Sequence, residues 1–190
     1  MLAPMPTTGH KRISANDGFR VGHAAVVSPD DKVWYLMDSP ADSHFERGDA
    51  LEEQGSFEQA FEEFTAGAKA GDVSCMTRLA LLYTLGKGID CCDYDQAIEW
   101  EKRAHEAGST MALFNLGITY RMKGDLLEAR ACFEKALSAG DNSAALELAK
   151  LYVVSPKESD TARNYLRLVL ADDSLCEAER EEARGLLSRI

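Results

Sequence analysis

The 190-residue sequence predicts an all-α protein, an α-solenoid of antiparallel helix pairs preceded by a short β-hairpin-like extension. Three observations predict it. Leucine and tyrosine recur four residues apart at Leu79/Tyr83, Leu116/Tyr120 and Leu148/Tyr152. Alanines at 60, 97, 129 and 162, separated by 37, 32 and 33 residues, are each followed by an aromatic: Phe64, Trp100, Phe133 and Tyr165. The punctuation recurs as well, "KAGDV", "EAGST" and "SAGDN" placing Gly71, Gly108 and Gly140 at equivalent points. Self-similarity with such a period marks a helical repeat array.

Residues 1–42 do not join the repeat. "FRVGHAAVV", then "SPDD", then "KVWYLM" reads as two strands around a turn, with Pro29 suited to the second turn position. A lone hairpin is marginal in water, so Phe19, Val21, Trp34 and Leu36 are expected to dock on the first helix pair. There the hairpin would cap the end of the array or offer a strand edge to a partner. Residues 1–12 are expected to form a tail.

Residues 43–173 read as four units, each of two helices. Spacings of three and four put Leu with Tyr, or Ala with the aromatic, on one helix face. The expected pairs are roughly 43–54 with 57–70, 73–85 with 93–106, 109–122 with 126–138, and 141–153 with 158–171. Arg47 and Leu51 stand where the first unit has lost its Leu/Tyr pair. The recurring glycines suit the left-handed turn that ends a helix, and Asp72, Ser109 and Asp141 are N-cap candidates for the next. Residues 174–190 form a last helix whose Ala183, Leu186, Leu187 and Ile190 would cover the final unit.

The stretch "MTRLALLYTLGKGIDCCDYDQAIEWEKRAHEAG" resembles a Sel-like repeat (SLR), a relative of the tetratricopeptide repeat. It carries Leu79 with Ala80, Tyr83, the turn Gly86-x-Gly88-Ile89, Asp93 with Tyr94, then Ala97, Trp100, Ala104 and Gly108. The flanking units have the shorter turn of a tetratricopeptide repeat. The resemblance covers 43–173 and implies a solenoid whose first helices line a concave, partner-binding surface. Carrying over the concave positions gives Glu46, Asp49 and Glu52 in the first unit, and Thr77, Arg78, Leu81 and Thr84 in the second. The third gives Phe114, Asn115, Ile118 and Arg121, and the fourth Leu146, Glu147 and Lys150. Such a face would be acidic at one end and mixed apolar–basic along the rest, suiting a protein or peptide partner with a basic end.

Composition narrows the function. A formal charge of −11 disfavours a nucleic-acid binder and an anionic membrane surface. The charge is uneven: between His44 and Cys75 eight acids face only Arg47 and Lys69. No apolar run approaches the roughly 20 residues of a membrane span, and "MLAPMPTTGHKR" lacks the apolar core of a secretory signal. A cytoplasmic protein with reduced thiols is the expectation. Cys91 and Cys92 fall in the variable part of the turn and are expected to be loop thiols. Two adjacent cysteines are not a metal half-site, and Asp90, Asp93 and Asp95 oppose the lowered pKa a nucleophile needs. The four histidines are isolated, and the pairs Glu52–Glu53 and Glu62–Glu63 read as solvated helix faces. No phosphate loop or hydrolase motif occurs. The expectation is a non-enzymatic interaction scaffold without cofactor or metal; the alternative is an immunity-type inhibitor of a bacterial toxin or effector. Oligomeric state is left open.

Overall fold

The computed structural model describes residues 43–190 together with the strand residues Val26–Val27 and Val33–Trp34. The chain divides into two compact units, Met1–Ala41 and Asp42–Ile190. In the first, β1 (Val26–Val27) runs antiparallel to β2 (Val33–Trp34), with Val26 opposite Trp34 and Val27 opposite Val33. The tail and the residues expected to form the rest of this hairpin, Phe19, Val21, Pro29 and Leu36 among them, lie outside the described residues.

The second unit is helical throughout. Its helices are α1 (His44–Glu53), α2 (Phe57–Lys69), α3 (Val73–Leu85), α4 (Tyr94–Glu106), α5 (Ala112–Lys123) and α6 (Leu126–Ser138). There follow α7 (Ser143–Val153), a 3-10 turn at Pro156–Glu158, α8 (Ser159–Ala171) and α9 (Glu177–Leu187). Each helix packs on the one before and the one after it; beyond that, α1 also meets α3, and α9 reaches past α8 to α7. The sequence period therefore becomes four helix pairs and a terminal helix, an SLR/TPR-like solenoid.

The boundaries follow local chemistry. Asp72 caps α3, its carboxylate accepting from the Cys75 N–H at 3.0 Å, and Asp93 caps α4 in the same way through Gln96. At the unit junctions the amides of Asp72, Ser109 and Asp141 each bond back to a carbonyl five residues earlier, at 2.9–3.0 Å. Two expected caps are displaced. Helix α5 starts at Ala112 behind Met111, so Ser109 lies outside it and no side chain caps it. Asp141 sits one residue ahead of the N-cap of α7, Asn142, and accepts from the Ser143 N–H at 3.2 Å.

Close approach within each pair rests on small residues. A Cβ on Gly48 would lie 2.6 Å from the Phe64 ring, and one on Gly117 would lie 2.4 Å from the Phe133 ring. Ala80 and Ala149 hold the corresponding positions of the other two units. The turn Gly86–Asp93 is fixed similarly: Gly88 has φ +76°, and a Cβ there would lie 2.3 Å from the Phe57 carbonyl oxygen. The core forms three successive clusters along the array: Phe64, Leu79 and Trp100 lie in the first, Phe133 and Leu148 in the second, and Leu166 and Val169 in the third. Trp100 is a packing aromatic, 8% exposed, with the Arg103 guanidinium 4.8 Å above its ring.

Candidate functional site

Taking Gly48, Ala80, Gly117 and Ala149 as one register position, the residues three and two before it, one after and four after make up the face expected to meet a partner. The structure divides these residues among three roles. Phe114 and Leu146 turn inward: Phe114 packs on Phe133 at 5.7 Å between ring centroids, and Leu146 is 4% exposed within the last core cluster.

The charged members bind one another. Arg78 Nη2 lies 2.8 Å from Asp49 Oδ1 and 3.0 Å from Glu52 Oε2, and Lys87 stands 3.9 Å from Glu52. Further along, Glu147 is held between Arg121 at 3.3 Å and Lys150 at 2.9 Å, and Lys150 also meets Glu182 at 3.0 Å. Two of the three acids of the expected acidic end are thus engaged by a guanidinium from the next unit. The cations in these pairs are partly exposed, while Glu52 and Glu147 are largely buried. The pairs fix side chains across unit boundaries. Glu46 lies apart from this network, in the first turn of α1, where its N–H donates to the Ser43 hydroxyl.

The remaining residues make a groove. Thr77, Arg78, Leu81 and Thr84 of α3 and Asn115 and Ile118 of α5 line one cavity of about 210 Å³. Three residues absent from the expected set line it too: Met111, Thr119 of α5 and Glu101 of α4. Glu101 is 2% exposed, and its Oε2 has no hydrogen-bond partner. Burial pushes its pKa from the ordinary 4.5 to about 8, outweighing the lowering effect of a hydrogen bond with Asn115. The group is therefore a neutral acid over most of the physiological range.

Glu101 was legible in one respect. It stands four residues after Ala97, as Phe64 follows Ala60, Phe133 follows Ala129 and Leu166 follows Ala162. Those three are fully buried apolar side chains. Matching the units by their aromatics pairs Trp100 with Phe64 and Phe133 and hides the substitution; matching them by the alanines reveals it.

The cysteines do not converge. Cys91, Cys92 and Cys176 are exposed, Cys132 is half-buried and Cys75 is buried, all as thiols. Burial pushes the Cys75 thiol up to about 12, so it stays protonated. Among the described residues no group of three or more His, Cys, Asp or Glu side chains could hold a metal ion. No helix among them is long and apolar enough to cross a membrane.

Residues 110–143, which include α5 and α6, match the tetratricopeptide repeat family. Solved structures with the same fold include a Sel1 repeat protein from Oxalobacter formigenes, 17% identical with a TM-score of 0.53, over 76% of this chain and 68% of that one. MamA is 19% identical with a TM-score of 0.57, over 75% of this chain and 91% of its own. A protective antigen with an SLR fold, present in uropathogenic Escherichia coli strains, is 18% identical with a TM-score of 0.52. The match to it spans 77% of this chain and 37% of the antigen. No curated protein sequence matches the chain significantly. At these identities the likeness is one of fold.

Proposed function

We propose that the protein is a non-enzymatic interaction scaffold that binds a protein or peptide on the face formed by α1, α3, α5 and α7. Helical repeats of the SLR and tetratricopeptide type generally serve as protein-binding modules, and their recurring residues are consumed by packing. The observation that carries the reading is the groove between α3 and α5. Four first-helix residues of the second unit and three of the third line it together, while charged residues of the same face are held in place by ion pairs. With a formal charge of −11, the protein favours a partner of basic character and a cytoplasmic role within the cell.

Site-specific photo-crosslinking in the cell that makes the protein tests this directly. A photoreactive residue replacing Leu81, which is 38% exposed in the groove, is expected to capture a protein partner. The same residue replacing Leu127 of α6, which is 73% exposed, is expected to capture none. Adducts from position 127 alone would move the binding surface to the second helices.

A further inference from the structure

The second unit departs from its three siblings at two facing core positions. In the first unit Phe45 meets Phe64 with ring centroids 6.0 Å apart, and in the third Phe114 meets Phe133 at 5.7 Å. In the fourth, Leu146 and Leu166 are buried in one cluster. At the same two register positions the second unit has Thr77 and Glu101. Two large apolar side chains are replaced by a short hydroxyl and a carboxyl, and both replacements line the 210 Å³ groove. A small-molecule site usually needs about 300–1,000 Å³, so this space suits a single side chain.

Its chemistry is one-sided. The Thr77 hydroxyl donates to the Val73 carbonyl at 3.1 Å, and the Thr84 hydroxyl donates to the Ala80 carbonyl at 2.9 Å. With its hydrogen committed, the Thr77 oxygen remains an acceptor in the groove wall, whereas the Thr84 oxygen already meets the Thr119 hydroxyl at 3.3 Å. Glu101 Oε2 has no hydrogen-bond partner. A buried polar atom left in that condition is destabilising, because it has given up its water without gaining a partner. The other buried carboxylate of this face, Glu147, has two cations within 3.3 Å. The charged residue in the groove wall is Arg78, and its guanidinium is already shared by two carboxylates, Asp49 and Glu52. From α5 the groove receives only neutral groups, Asn115, Ile118 and Thr119.

We propose that this groove is an anchor site for one cationic side chain, a lysine or arginine of the partner, whose N–H groups are received by the Glu101 carboxylate and the Thr77 oxygen. The proposal rests on the first-helix face being the partner-binding face, and it names the chemistry read there. Near pH 7 the acid carries its proton in the empty groove. Arrival of the cation ionises it, the proton passes to solvent, and the new ion pair engages Oε2, the oxygen without a hydrogen-bond partner. Binding should therefore release close to one proton per partner.

A random peptide library selected against the full chain tests both levels. Selected peptides are expected to carry an invariant Lys or Arg and to lose at least ten-fold in affinity on Glu101→Gln, which keeps the side chain's shape. They are expected to lose binding altogether on Thr77→Leu/Glu101→Leu, which copies the fourth unit and fills the groove. Calorimetry of the parent at pH 7 in two buffers of different ionisation enthalpy should report the released proton, a signal that needs no variant. Peptides that bind from the groove without a basic residue, or keep their affinity on Glu101→Gln, would overturn the anchor while leaving the binding face standing. Peptides indifferent to the filled groove and uncrosslinked from position 81 would overturn both. A library that yields no groove binder also overturns the anchor.

Discussion

The second and third units build the same kind of helix pair with different interiors. In the third, Gly117 lets the Phe133 ring pack closely against α5, and Phe114 packs on that ring. In the second, Ala80 keeps the helices as close, but Thr77 and Glu101 stand where the rings would be. The geometry of a pair is set by its small residue and its turns, so the large core positions can be given to other purposes in one unit. Nearest-neighbour coupling then lets the flanking units carry the stability that this unit lacks.

The comparison is broken most directly from its well-packed side. Phe133→Ala should destabilise the array by roughly 3–5 kcal/mol in urea unfolding, and Trp100→Ala by no more than that. A loss below about 1 kcal/mol for Phe133→Ala would mean the ring is not what holds the third unit, and the contrast with Glu101 would lose its basis. Next in size, Thr77→Leu/Glu101→Leu should stabilise the chain by ~2–3 kcal/mol at pH 8, because two buried apolar side chains replace polar ones. A destabilised double variant would show that the groove cannot close around leucine as the fourth unit does.

Glu101→Gln sharpens the comparison through pH. The folded-state pKa of Glu101 lies at about 8 against an ordinary 4.5. The unfolded chain therefore loses its proton first, and the parent loses stability as pH rises from 4.5 to about 8, relative to its value in acid. Glutamine has no such proton, so parent and variant should melt with the same difference below the lower value and diverge above it. At about 1.4 kcal/mol per pH unit across that window, the divergence should reach a few kcal/mol by pH 8. Parallel curves across that window would mean the carboxyl is already ionised and solvated. The smallest effect belongs to the loop: Cys91→Ser/Cys92→Ser should change stability by less than about 0.5 kcal/mol, since both side chains are exposed.

The helices were legible because each repeats a pattern whose period matches its own turn. The start of α5 was misread by three residues because Ser109 has the chemistry of a cap but follows the turn too closely to serve as one. The ion pairs were legible only as composition. The eight acids between His44 and Cys75 suggested a bare acidic end, but Arg78, 29 residues from Asp49 in sequence, folds back onto two of them. Glu101 was lost for a different reason. A glutamate in the middle of a helix ordinarily belongs to the solvated face, and only its register against Phe64, Phe133 and Leu166 shows that it does not.

The order of packing, each helix on its immediate predecessor and successor, also decides how the array responds to force. Pulled from its ends, the array has, among the described helices, no extensive packing between helices distant in sequence that must break first, so helix pairs should peel off in turn at modest load. The two ends differ from the middle, because α1 also grips α3 and α9 lies across both α8 and α7. Extension from the C-terminus must therefore lift α9 off two helices in a single event, and the steps that follow are smaller. Recoil meets little delay, since no long loop has to close before the next contact forms.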